Sequence, residues 1–151
     1  MTSSKDTPEL RIATLEEILA LRDQVLIRGT DRTSPEFDGD RDTMTIHLGA
    51  FWNGAAIGCA SLYPRQFTGE DAWQLRGMAT APEWRNQGIG GALLRFAENL
   101  VLANHQAKTV WCNARTSAVQ FYVRHGWLTV SDVFEIKGVG PHIVMIKKLI
   151  A

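Results

Sequence analysis

EWRNQGIGGALLRFAENLV, residues Glu83 to Val101, decides how this chain is read. From Gln87 onward, Ile89, Ala92, Leu93, Phe96, Ala97, Leu100 and Val101 recur at i, i+3, i+4, i+7 spacing, which predicts an amphipathic helix. Three glycines, Gly88, Gly90 and Gly91, stand where that helix starts, and a glycine inside a helix costs roughly 1 kcal/mol relative to alanine. A helix start exposes unpaired N–H groups and the positive end of the macrodipole. Glycines there either let an anion reach bare amides or permit a tight turn with close helix–sheet packing.

Working outward, MATAP (Met78 to Pro82) precedes this helix as the end of a strand. Upstream, TIHLGAFW, AAIGCASLY and AWQLRGMAT are three apolar runs. Asn53-Gly54 separates the first two and favours a type I′ hairpin, so the region reads as antiparallel sheet. LRIAT (Leu10 to Thr14) suits a short strand, and LEEILALRDQVLIR (Leu15 to Arg28) a helix stopped by Gly29. Residues 29–42 read as a loop on their Ser-Pro and Asp-Gly signals. Downstream come a strand (TVWCNA, 109–114) and a helix over 116–125, capped by Thr116 or Ser117 and closed by Gly126. LTVSDVFEI and IVMIKKLI then read as two strands joined by KGVGPH. The sum is a single-domain mixed α/β fold on a largely antiparallel sheet flanked by helices, at residues 10–151 behind a flexible leader at 1–9.

Length and composition agree with one ordinary globular domain: 151 residues, 45% hydrophobic and 21% charged, without repeats or low-complexity tracts. Sixteen basic and sixteen acidic residues cancel, so no global field draws the protein to nucleic acid or to an anionic membrane. The spacing of Cys59 and Cys112 matches no metal motif, and both read as buried, reduced thiols. The amino terminus carries no apolar h-region and no run approaches the ~18 residues of a membrane span, which leads to a cytoplasmic expectation.

Known phosphate loops fit the glycines poorly. No Gly-Lys-Ser/Thr occurs for a P-loop, and Gly88-Ile89-Gly90-Gly91-Ala92-Leu93 lacks the third glycine of a dinucleotide fingerprint. Arg85-Asn86-Gln87-Gly88-Ile89-Gly90 does match R/Q-x-x-G-x-G/A, and LRGMATAPEWRNQGIGGALL resembles the acetyl-CoA-binding segment of the GNAT superfamily of N-acetyltransferases. ARTSAVQFYVRHGW resembles that family's second signature, and the order of elements over residues 10–150 is also the family's. EFDGDRDTMTIH and FEIKGVGPHIVMIKKL are most similar to its ElaA-like bacterial subgroup.

The resemblance implies direct attack of an amine on the acetyl-CoA thioester. It assigns the pyrophosphate to the amides around Asn86, Gln87, Gly88, Ile89, Gly90 and Gly91, with Arg85 beside the turn, and the pantetheine arm to Met78, Ala79 and Thr80. The Met78 backbone N–H would polarise the thioester carbonyl, a contact worth about 3–4 kcal/mol in oxyanion holes. Tyr122 would protonate the departing thiolate, although an aromatic at helical spacing also reads as core. At the family's glutamate position stands Gln74, which leaves His142, His47, Glu70 and Asp71 as candidate bases, His142 first. Arg115 replaces an asparagine and reads either as a CoA contact or as part of the acceptor site. EFDGDRD (36–42) reads as a solvated loop or as an acidic rim for a cationic amine. The acceptor, a small-molecule or protein amine, stays open, as does a homodimer. A catalytically silent acyl-CoA-binding regulator is the alternative, kept open by Gln74 and Arg115.

Overall fold

The computed structural model describes residues 7–104 and 107–150. Residues 1–6 of the expected leader lie outside them, and Glu9 already belongs to β1 (Glu9–Ala13), paired with Phe51. β2 (Ile46–Trp52) and β3 (Ala55–Pro64) form the hairpin expected at Asn53-Gly54, whose φ angles of 51° and 81° are both left-handed. β4 (Trp73–Thr80) continues the meander, β5 (Thr109–Arg115) runs parallel to β4, and β8 (Gly140–Lys148) is antiparallel to β5. The sheet order is β1-β2-β3-β4-β5-β8-β6, where β6 is Leu128–Thr129, and β7 (Phe134–Ile136) also pairs with β8. It is mixed, largely antiparallel, and a single domain.

LTVSDVFEI is two strands rather than the one expected: β6 (Leu128–Thr129) and β7 (Phe134–Ile136). Ser131 Oγ accepts the Val144 N–H at 2.9 Å, so a side chain occupies the ladder where a backbone carbonyl would continue it.

Helices cover both faces. α1 (Leu15–Arg22) opens on a capping box in which Thr14 Oγ1 accepts the Glu17 N–H and Glu17 accepts the Thr14 N–H. The expected helix ends at Ile27, with Arg28 turning out of it, and its last part, Asp23–Ile27, widens into a π-helical turn. α1 packs on the face carrying Ser61 and Tyr63, which both bind Arg22. α2 (Ile89–Asn104) packs on the opposite face, where a Cβ at Gly58 would lie 2.8 Å from Ile89 Cγ2 and from Leu93 Cδ1. α3 (Val119–Arg124) starts three residues later than expected, after a 3₁₀ turn at Thr116–Ala118, and without a side-chain cap from Thr116 or Ser117.

Candidate active site

β4 and β5 are paired at only two positions, Trp73↔Val110 and Gln74↔Trp111. Beyond them each strand keeps its other neighbour, β4 with β3 and β5 with β8, so the two facing edges diverge with backbone groups unpaired. A bulge sharpens the divergence: Gly77 and Met78 lie opposite the single residue Ala60. Gly77 adopts φ 69°, and a Cβ there would meet Arg22 Nε at 3.0 Å and the Phe37 ring at 3.2 Å. Only glycine suits that position.

The wedge opens into a cleft of ≈ 330 Å³. Met78, Cys112 and Tyr122 contribute to its lining, as do Gln74, Arg76, Arg115 and His142. Tyr122 is 7% exposed, with the Phe121 and Trp127 rings at 5.1 and 5.2 Å. Burial, then the neighbouring Cys112, pushes its phenol well above the ordinary range, so it holds its proton at neutral pH. Tyr122 is therefore both core and cleft wall. His142 is buried beside Phe134, and its Nδ1–H donates to the Gly140 carbonyl at 2.8 Å. A carbonyl only accepts, which fixes the proton on Nδ1 and leaves Nε2 without a hydrogen-bond partner among the described residues.

At the far end of β4, Ala79 and Thr80 still pair with Cys59 and Gly58. The chain then turns through Pro82–Trp84 into α2, which begins at Ile89 rather than near Gln87 because Asn86 and Gly88 are left-handed, with φ 63° and 81°. The first helical bond is Ala92 N–H to the Gly88 carbonyl, 3.0 Å, so the N–H groups of Ile89, Gly90 and Gly91 have no partner within the helix. Left-handed Asn86 and Gly88 flank Gln87, a backbone alternation of the kind that turns successive N–H groups toward one side. Arg85, Asn86, Gln87 and Gly88 are exposed, and none of residues 85–91 lines the cleft. Gly90 and Gly91 also serve packing, against α3 rather than the sheet. A Cβ at Gly90 would lie 3.3 Å from the Phe121 ring, and one at Gly91 2.8 Å from His125 Nε2. Both readings of the glycines thus coexist, because the amides and the missing Cβ atoms point to different neighbours. Amides left unpaired at a glycine-rich helix start, next to an open strand edge, suit a pyrophosphate with a pantetheine arm.

A model of the acetyltransferase (GNAT) family matches residues 14–127. The uncharacterized N-acetyltransferase YitI of Bacillus subtilis (strain 168) is 34% identical over 144 residues, covering 93% of this chain and 96% of YitI. The chain belongs to the acetyltransferase (GNAT) family. As a member it is an acyltransferase with acetyl-CoA as donor. Solved structures share the fold: Escherichia coli ElaA has a TM-score of 0.80 at 20% identity, covering 93% of this chain and 99% of ElaA. A GNAT family acetyltransferase from Elizabethkingia anophelis with acetyl-CoA bound has a TM-score of 0.68 at 21% identity, covering 95% of this chain and 99% of that one.

Within this GNAT frame the other sequence candidates scatter. His47 is locked, its Nδ1 2.6 Å from Ser61 Oγ and its Nε2 2.8 Å from the Asp40 carbonyl. Glu70 sits in the β3–β4 connection, 3.8 Å from Lys148, and Asp71 borders a separate shallow depression. Arg115 lines the cleft, in register with His142, and donates to the Leu26 carbonyl exposed by the π-helical turn, 3.2 Å. Of the four acids of EFDGDRD two are engaged, while Asp38 and Asp42 are exposed, in no ion pair among the described residues and not on the cleft. Glu36 binds Arg41, while Asp40 is buried and takes both guanidinium N–H groups of Arg22 at 2.7 and 3.0 Å. Phe37, not an acid, is what that loop presents to the cleft. The Arg22–Asp40 pair, with Ser61 and Tyr63, has no sequence signature: its members lie at 22, 40, 61 and 63, on three separate segments.

Proposed function

We propose that the protein is an N-acetyltransferase in which a primary amine attacks the acetyl-CoA thioester directly, in a ternary complex. The observation that carries this reading is the open β4–β5 edge, with Met78 and Tyr122 both lining the cleft it opens into. The amides of residues 86–91, with Arg85 alongside, hold the pyrophosphate, and Met78, Ala79 and Thr80 hold the pantetheine amides by strand addition. The amine nitrogen attacks the carbonyl carbon, and the unpaired N–H at the bulge stabilises negative charge growing on the carbonyl oxygen. The C–S bond breaks with its electron pair on sulfur, and the Tyr122 hydroxyl donates its proton there. His142 Nε2 takes the proton the amine releases, directly or through one water. Arg115, on the acceptor side of the cleft, faces the amine substrate.

The test is release of the CoA thiol across an amine panel, with wild type and Tyr122→Phe. The variant keeps its packing and its KM for acetyl-CoA, while kcat falls about 10²- to 10⁴-fold, the range for a lost general acid. Undiminished turnover removes Tyr122 from the mechanism. A silent acyl-CoA-binding regulator, for which the absence of a carboxylate at Gln74 speaks, would instead gain thermal stability from acetyl-CoA and acetylate nothing.

A further inference from the structure

Four arginines, Arg32, Arg65, Arg76 and Arg115, line the cleft, and among the described residues no aspartate or glutamate does. Among the described residues, none of the four is in an ion pair. Asp40 is not available to them. Its carboxylate, 1% exposed, is taken up by Arg22, the Tyr63 hydroxyl at 2.5 Å and the Phe37 N–H at 2.6 Å. Arg65 donates only to neutral groups, Gln74 Oε1 at 3.0 Å and the Asp38 carbonyl at 2.8 Å. The guanidinium groups of Arg76 and Arg32 have no hydrogen-bond partner among the described residues.

Aromatic faces position them instead. Arg76 lies 4.5 Å from the Phe37 ring centroid and 6.0 Å from that of Tyr63, and Arg32 lies 5.6 Å from Phe37. Stacking holds a guanidinium by its face and leaves its N–H edge for a ligand. Burial, and then the like charges of Arg65, Arg32 and Arg22, push Arg76 below the ordinary arginine range despite the opposing pull of Tyr63. Positive charge gathered this way calls for an incoming anion.

That anion is not the donor's phosphate. Arg76 is in register with Ser61 and Gln74 with Tyr63, so both side chains project from the face covered by α1. The unpaired amides open α2, which packs on the opposite face through Gly58. We infer that the acceptor is a small amine that also carries an anionic group, a carboxylate or a phosphate, held by Arg76 and Arg32 over Phe37 with Arg65 and Arg115 beside it. This rests on the acetyltransferase reading and narrows its acceptor; it replaces the cationic amine suggested by the acidic loop.

Two features of the cleft then acquire a reason. A glutamate at position 74 would neutralise Arg65, whereas Gln74 accepts the same hydrogen bond and leaves the charge for substrate. The same field disfavours an ammonium ion, so it lowers the bound amine's pKa and supplies a neutral nucleophile in a cleft that no carboxylate among the described residues lines.

The experiment compares matched pairs with acetyl-CoA: amino acids against their amides, O-phosphoethanolamine against ethanolamine, and spermidine and kanamycin as polycations. The anionic member is preferred in kcat/KM by about 10- to 100-fold, the scale of a charge-assisted hydrogen-bond pair. The amino-acid and phosphate arms decide which anion is used. Arg76→Gln and Arg32→Gln each shrink the preference mainly through KM, and Gln74→Glu shrinks it while leaving both arginines in place. The kcat–pH profile of Arg76→Gln moves to higher pH as the amine regains its ordinary pKa. Stabilisation by acetyl-CoA certifies that each variant is folded. Preference for an amide or for spermidine, or an unchanged preference in Arg76→Gln, overturns the inference. If no amine is acetylated, the acetyltransferase reading fails separately, and calorimetry with the same pairs decides the inference. Binding selective for the anion and lost in Arg76→Gln supports it, and equal or absent binding of both members overturns it.

Discussion

Asp40→Asn isolates the charge that organises the α1 face of the cleft. The substitution keeps size and shape but removes the negative charge facing Arg22, whose side chain is wholly buried. Asp40 accepts four hydrogen bonds, two from Arg22, one from Tyr63 and one from the Phe37 N–H, and an amide nitrogen must now face some of those donors. Breaking a buried pair from one side costs about 3–5 kcal/mol. For a domain of this size that corresponds to a fall in Tm of about 6–20 °C. Urea unfolding of wild type and variant reads the difference directly. The pH dependence adds a second readout. Burial pushes the Asp40 carboxyl up, but Arg22, the Phe37 N–H and Tyr63 outweigh it and hold the group below the usual carboxylate range. The folded state therefore binds this proton less readily than the unfolded chain. The resulting stability is complete above the ordinary carboxylate pKa and is lost as pH falls through the folded value. Asp40→Asn flattens that part of the profile. In Arg22→Met/Asp40→Leu the uncompensated charge is gone, so the double variant loses less than Asp40→Asn alone. A single-variant loss below about 1 kcal/mol, the range of exposed pairs, would refute the assignment of a buried, cleft-organising ion pair.

Gly58→Ala places a methyl 2.8 Å from both Ile89 Cγ2 and Leu93 Cδ1, and Leu93 is fully buried, so stability falls by about 1–3 kcal/mol and the KM for acetyl-CoA rises as the start of α2 shifts. An unchanged urea midpoint and KM contradict this. Burial pushes the Cys59 and Cys112 thiols up to about 12, so neither reacts with a thiol reagent at mildly alkaline pH until the protein is denatured. Rapid labelling of the native protein, quantified by absorbance, contradicts their placement.

What the sequence revealed is what adjacent residues encode. The Asn53-Gly54 turn and the apolar stripe of α2 are patterns within a few residues, and each stands where it was expected; the signatures around Gly88 and Tyr122 are equally local, and both fall within the stretch that matches the family model. Features set by distant partners were not legible. The start of α2 depends on left-handed Asn86 and Gly88, and the closeness of Gly91 to α3 depends on His125, 34 residues along the chain. The break between β6 and β7 needs Ser131 to meet Val144, which no local propensity foretells.

The cleft's charge is the sharpest such case. Sixteen positive and sixteen negative residues give no field when summed over the chain, yet the fold sorts them unequally. Asp40 is drawn inside onto Arg22, and Glu16 and Glu36 are taken by Arg41 at the exposed rim. The β3–β4 register then sets Arg76 beside Tyr63, and the loop from Pro35 to Asp40 returns Phe37 beneath it. A neutral chain thereby acquires a cationic pocket. The acidic loop that suggests a cationic substrate in the sequence is, once folded, what anchors the arginine cluster: its one buried carboxylate is consumed by Arg22, and its aromatic ring carries the charges that await an anion.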